Sequence, residues 1–184
     1  MVIDEDFILS KSEEVKSHNF IKTVLELSGY NVMKFGIENH NQDILKKIRS
    51  NYSTETNRRL MSMPDFVVVD PESNEAFIIE VKHRNIKEDF SMKDTELIFK
   101  YNNIKGYLDF WEDATLILTF NVKPYCICLD FSKINWNNHF KGKIMGKNNN
   151  LDELWNFSGC YQLINDKFPK VTHESFNKAL DLLK

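Results

Sequence analysis

The sequence predicts an α/β fold in which a mixed central sheet is flanked by helices. Three observations predict it. Stretches with helical apolar spacing alternate with short β-branched runs, two of those runs are joined by a tight turn, and only four Pro and six Gly interrupt 184 residues. The chain is near the size of one domain and is long enough for a full hydrophobic core. A single domain over 1–184 is expected, with a core over about 12–131 and an extension over 132–184 packing on it.

Residues 12–28 carry Val15, Phe20, Ile21, Val24, Leu25 and Leu27 at roughly helical spacing, with Gly29 just beyond as a stop. NVMKFGI (31–37) reads as a short strand, DILKKIRS (43–50) as a further helix, and the polar NYSTETNRR (51–59) as irregular. FVVVD (66–70) and AFIIEVK (76–82) are separated by the turn residues Asp70, Pro71, Ser73 and Asn74, which predicts a hairpin. From Asp94 to Trp111, Leu97, Ile98, Tyr101, Ile104, Tyr107, Leu108 and Trp111 recur at helical spacing, which predicts a second long helix. ATLILTF (114–120) and YCICLDF (125–131) give two more strands, joined through NVKP. The core order is thus helix, strand, hairpin, helix, strand, with one more strand behind it. Beyond Phe131 the chain turns rich in Asn and Lys. GKIMGKNNN (142–150) reads as a linker, and Thr172 as the N-cap of a closing helix in THESFNKALDLLK, so the extension is expected to be helix and loop.

Composition removes several functions. A net charge of -3 provides no bulk attraction to phosphate, so any nucleic-acid contact must come from a local basic patch. The acidic MVIDEDFILSKSEE is not a signal or transit peptide, and no segment approaches the roughly 20 apolar residues of a membrane span, so no membrane partner is expected. Three cysteines, an odd number, point to a reducing interior, and a cytoplasmic location is expected. Cys126 and Cys128 alternate in an apolar run and read as core residues; a zinc site combining them with Cys160 or His139 lacks ligand-pair spacing.

The chemistry lies in PDFVVVDPESNEAFIIEVK (64–82). Ionised side chains are almost never fully buried unless they are paired or bound to a metal. Strand alternation sends Phe77, Ile79 and Val81 one way and Ile78, Glu80 and Lys82 the other. In the hairpin, the start of the first strand lies beside the end of the second, which brings Asp65 near Glu80 and Lys82. Two carboxylates and an ammonium at one end of a hairpin suit Mg²⁺, a hard cation that takes one or two carboxylates and keeps several waters. Lys82 is placed to orient a water or to stabilise charge building on phosphorus.

Pro64-Asp65, an apolar strand, then Glu80-Val81-Lys82 inside FIIEVKHR resembles the PD-(D/E)XK nuclease superfamily over roughly residues 12–130. The resemblance implies a restriction-endonuclease-like core of order αβββαβ. It also implies Mg²⁺, with Mn²⁺ as a substitute, bound by Asp65, Glu80 and the backbone carbonyl of Val81, and Lys82 assisting the attacking water. A bare acid-x-Lys pattern carries little information: it occurs also at Glu14-Val15-Lys16, on a predicted helix with no PD upstream. The hairpin context is what separates the two. Many members place a further acid on the first helix. The corresponding region here holds His18 and Asn19, with Glu14 one turn further back as the remaining metal-ligand candidate. Many also carry a Gln or Lys on the helix after the motif, where Lys100 stands, with Tyr101 beside it reading equally well as core.

Arg58 and Arg59 before the motif, and His83 and Arg84 after it, are expected to flank the metal and grip phosphates. Lys46, Lys47 and Arg49 extend that footprint or form a solvated helix face, while Lys141, Lys143 and Lys147 read as an exposed loop. The segment 39–63 is longer than a usual connection and is a candidate substrate-contacting element. The expected function is a Mg²⁺-dependent deoxyribonuclease, an endonuclease of repair or defence, with archaeal Holliday-junction resolvases as the nearest resemblance and RNA left open as a substrate. Many nucleases of this class work as dimers, so a homodimer belongs to the expectation. The alternative is an inactive nuclease-fold protein that binds nucleic acid or serves as an assembly subunit.

Overall fold

The computed structural model describes residues 5–37, 42–86, 97–145, 151–157 and 159–183. The first helix, α1 (Glu5–Leu27), buries Ser17, Phe20, Ile21, Val24 and Leu25. Those positions repeat at three and four residues, which lays one stripe against the sheet. Val15 and Leu27, at the edges of the predicted stripe, are exposed. Gly29 ends the helix at φ 88, with Tyr30 N–H bonding the Leu25 carbonyl and Gly29 N–H that of Glu26. This is the paired closure that a left-handed glycine permits.

The central sheet has the order β1 (Asn31–Lys34), β2 (Phe66–Val69), β3 (Ala76–Arg84), β5 (Thr115–Phe120) and β6 (Cys126–Asp130). β2 and β3 form the expected antiparallel hairpin, with Phe66 opposite Ile79. β3 and β5 are parallel and the other pairs antiparallel, so the sheet is mixed. Every residue of β5 and β6 is buried, because helices and strands cover both faces there. One core packs α1 and α6 (His173–Leu180) against Phe66, Val68, Ile79, Val81 and Ile117. The other sets Leu116, Leu118, Ile127 and Leu129 against α4 (Tyr101–Phe110) and a second sheet.

That second sheet corrects the reading of the extension as helix and loop. Its antiparallel order is β4 (Ile98–Lys100), β8 (Leu151–Asn156), β7 (Phe140–Met145). Lys141 and Lys143 lie on the edge strand β7, where lysines discourage further pairing, and Lys143 reaches Glu153 at 3.6 Å. Lys147 and the rest of 146–150 lie outside the described residues. The helix predicted over 94–111 begins only at Tyr101; 94–96 are outside the described residues, and 97–100 alternate buried and exposed, a strand period that pairing with β8 selects. The segment read as irregular before the hairpin contains α3 (Glu55–Met61), capped by Thr54, whose hydroxyl accepts from Asn57 N–H at 3.2 Å. It follows α2 (Gln42–Ser50), found where predicted. The strand predicted over 31–37 stops at Lys34. A short helix, α5 (Ile164–Lys167), precedes α6, whose N-cap is Thr172 as expected, paired reciprocally with Ser175.

Candidate active site

The register Phe66↔Ile79 sets Asp65, one residue before β2, level with Glu80 on β3. Asp65 Oδ2 accepts the Val81 N–H at 2.7 Å, so this carboxylate also ties the end of the hairpin together. Glu80 is only 2% exposed. Its Oε1 meets the Lys82 ammonium and accepts the Tyr107 hydroxyl proton at 2.5 Å. Burial, with the nearby Asp65 charge, pushes the Glu80 carboxyl up to about 7 against the pull of Lys82 and Tyr107. For Lys82, burial acts downward, but the Glu80 and Asp65 charges outweigh it and raise the ammonium pKa. It therefore stays a cation.

His18 completes the cluster from α1. Its Nε2 lies 3.3 Å from Asp65 Oδ2, and its ring stands edge-on to Phe66 at 5.7 Å. Burial lowers its pKa, yet the bond to Asp65 and the charges of Asp65, Glu14 and Glu80 raise it further than burial lowers it. Asp65 moves the other way: burial raises it, and His18, Lys82 and the Val81 N–H hold it below the usual carboxylate value. Two acids are thus balanced by an ammonium and an imidazole.

A cavity of about 300 Å³ gathers Glu14, His18, Val81, Lys82, His83 and Arg84 on its walls. Five of these are residues singled out in the sequence. Glu14 pairs with Lys11 at 2.7 Å while its charge reaches His18 and Lys82. His83 Nδ1 lies 3.0 Å from Thr119 Oγ1 and 3.2 Å from Ser17 Oγ, with the two hydroxyls 2.9 Å apart, and its Nε2 is 3.1 Å from Asn85 Oδ1. That network fixes the imidazole against α1. Arg84, two residues beyond Lys82 on the same strand face, donates from Nη1 to the His83 carbonyl at 2.8 Å.

The other phosphate-gripping candidates do not line this cavity. Arg59 sits 5.4 Å over the Trp111 ring, and Arg58 lines a different cavity with Lys105 and Gly106. Lys100 is exposed at the end of β4; Tyr101 packs on Trp155 at 6.2 Å, as its core reading has it. Lys46, Lys47 and Arg49 form an exposed face of α2. Cys126 and Cys128 are buried in the first core, away from the Cys160–His139 contact of 3.1 Å. Sequence reasoning missed His18 and Tyr107. It looked for an acid at the first position and counted the second only as part of an apolar helix stripe.

Among the described residues, no three His, Cys, Asp or Glu side chains gather closely enough to hold a metal by themselves. Asp65 and Glu80 form a pair of buried carboxylates whose contacts among the described residues fall on Oδ2 and Oε1. Two hard oxygens fit Mg²⁺ completed by waters, and do not fit a four-ligand zinc site. No described helix is long and apolar enough to cross a membrane. No protein-family model matches the chain, and no curated protein matches it.

Proposed function

We propose that the chain is a Mg²⁺-dependent nuclease that hydrolyses phosphodiester bonds in DNA, on a restriction-endonuclease-like core. The observation that carries this reading is the buried Asp65–Glu80–Lys82 cluster. A carboxylate as buried as Glu80 is costly, and a bound cation would offset that cost. Asp65, Glu80 and the Val81 carbonyl would hold the cation. Bound there, Mg²⁺ supplies positive charge against the phosphate oxygens and acidifies water.

Lys82, held protonated, stabilises the negative charge that builds on phosphorus. A water oxygen bonds to phosphorus as one P–O ester bond breaks. The water loses one proton and the departing alkoxide takes one up, leaving a phosphomonoester and a free hydroxyl. His18 fixes the Asp65 carboxylate, and Tyr107 fixes that of Glu80. His83 and Arg84, at the same cavity, are placed to position the strand.

The test is cleavage of single-stranded, duplex and branched DNA and of RNA with Mg²⁺, Mn²⁺ or EDTA. Asp65→Asn and Lys82→Ala are expected to lose at least about 100-fold in rate. A second reading, an inactive nuclease-fold subunit that binds nucleic acid, is favoured by the direct Lys82–Glu80 pair, which closes the site on itself. Nucleic-acid binding without metal-dependent cleavage, unchanged in Asp65→Asn, would select it.

A further inference from the structure

Lys82 and Arg84 wall two cavities. One is the cleft beside His18. The other, of about 310 Å³, is lined further by Phe99, Ile104, Tyr107, Leu116 and Phe131, and the proposed hydrolysis places no part of the substrate in it. Its size falls at the lower end of small-molecule pockets, roughly 300–1,000 Å³.

Arg84 is the unusual group in it. The guanidinium is half-buried, burial lowers its pKa, and no carboxylate pairs with it among the described residues. Instead it lies 5.6 Å from the centroid of Phe99. A guanidinium held this way, with no acid beside it among the described residues, is matched to a visiting phosphate. On the other side, the Lys82 ammonium lies 6.0 Å from the centroid of Tyr107, which stacks on Phe131 at 5.9 Å and 16°. Two cations at the rim and aromatic walls behind them provide the two things a nucleotide needs: charge for its phosphate and flat apolar surface for its base.

We propose that this cavity receives one unstacked nucleobase, with Arg84 holding the phosphate next to the one cleaved. The inference rests on the nuclease reading of Glu80 and Lys82 and adds a substrate class to it. A base enters the cavity only when it is unpaired, and unpairing costs free energy in an intact duplex. Single strands and frayed ends are therefore the preferred substrates.

Two measurements keep the subsite and the nuclease reading apart. In EDTA, binding of dAMP, deoxyribose 5-phosphate and inorganic phosphate to the full chain is followed by NMR titration, for the native protein, Arg84→Gln and Phe99→Leu. The leucine keeps apolar volume but removes the ring, and circular dichroism checks that both variants fold. The expected result is dAMP binding at least tenfold tighter than deoxyribose 5-phosphate, a smaller gap in Phe99→Leu, and weaker binding of both phosphates in Arg84→Gln. Equal affinity for the two compounds overturns the subsite. With Mg²⁺, single-stranded DNA is expected to be cut at least tenfold faster than duplex. Equal or faster duplex cleavage overturns the subsite and leaves the nuclease reading standing. Base-dependent binding without any cleavage overturns the nuclease reading and leaves a nucleotide-binding cavity.

Discussion

Tyr107 donates its phenolic proton to Glu80 Oε1 at 2.5 Å, the same oxygen that meets the Lys82 ammonium. A helix of one layer thus fixes a carboxylate on a strand of the next. Tyr107→Phe removes the donor and leaves the ring. A hydrogen bond to a charged group contributes about 1.5–3 kcal/mol, so a loss of that order is expected at pH 8, where Glu80 is ionised. A smaller loss is expected at pH 4. Denaturant titrations at the two pH values check this, and an equal loss at both would count against a bond to the ionised carboxylate.

Glu80 gives a pH dependence of opposite sign to the usual carboxylate. Burial raises it from 4.5 to about 7, so the folded chain holds this proton more tightly than the unfolded chain does. The cost is absent below pH 4.5, grows between 4.5 and about 7, and is constant above. Glu80→Gln is expected to flatten that fall and to melt higher than the native protein at pH 8 without metal. Saturating Mg²⁺ is expected to stabilise the native chain, by about 2.7 kcal/mol at a hundredfold excess over Kd, and to leave the variant unchanged. Melting curves with and without Mg²⁺ provide both readings.

Asp130 anchors the far end of the sheet. It accepts from Thr115 Oγ1 at 2.7 Å and Gln162 Nε2 at 3.1 Å, and pairs with Lys167 at 2.8 Å and Lys133 at 2.9 Å. Burial acts to raise its pKa, but the two lysines and Thr115 outweigh it and hold it at about 2. Its contribution is complete above the unfolded value of 3.8 and is lost as pH falls from there through about 2. Asp130→Ala is expected to cost about 3 kcal/mol at pH 7, with the deficit shrinking in that acid window. An unfolding midpoint in urea, measured from pH 7 to pH 2, follows it.

Gly106 marks where α3 and α4 touch. A Cβ added there would lie 2.4 Å from Ser62 Cβ. Helix propensity alone favours alanine by about 1 kcal/mol, but an overlap of this size costs about 1–3 kcal/mol, so Gly106→Ala is expected to destabilise. Adding Ser62→Gly removes the opposing atom and should recover most of the loss. A double-mutant cycle by chemical denaturation checks the coupling.

The arrangement of Asp65, Glu80 and Lys82 was legible because it is local. A turn at 70–74 and a period of two along β3 are enough to set Asp65 level with Glu80 and to put Glu80 and Lys82 on one face. The same local rules found α1, the β5–β6 pair and the Thr172 cap. They failed at 97–100, where Leu97, Ile98 and Phe99 satisfy helical and strand spacing alike. Pairing with a distant strand, β8, decides there.

By itself, then, the sequence determined the hairpin, its buried charges and the alternation of helices with strands, since each depends on neighbours a few residues apart. Only the tertiary structure decided that His18 meets Asp65, that Tyr107 meets Glu80, that Arg59 covers Trp111 and that Arg58 lines a different cavity. Those outcomes depend on which turn of α1 and of α4 faces the end of β3, and on where α3 seats. Close packing of both cores sets that orientation as a whole, and no single stretch of sequence carries it.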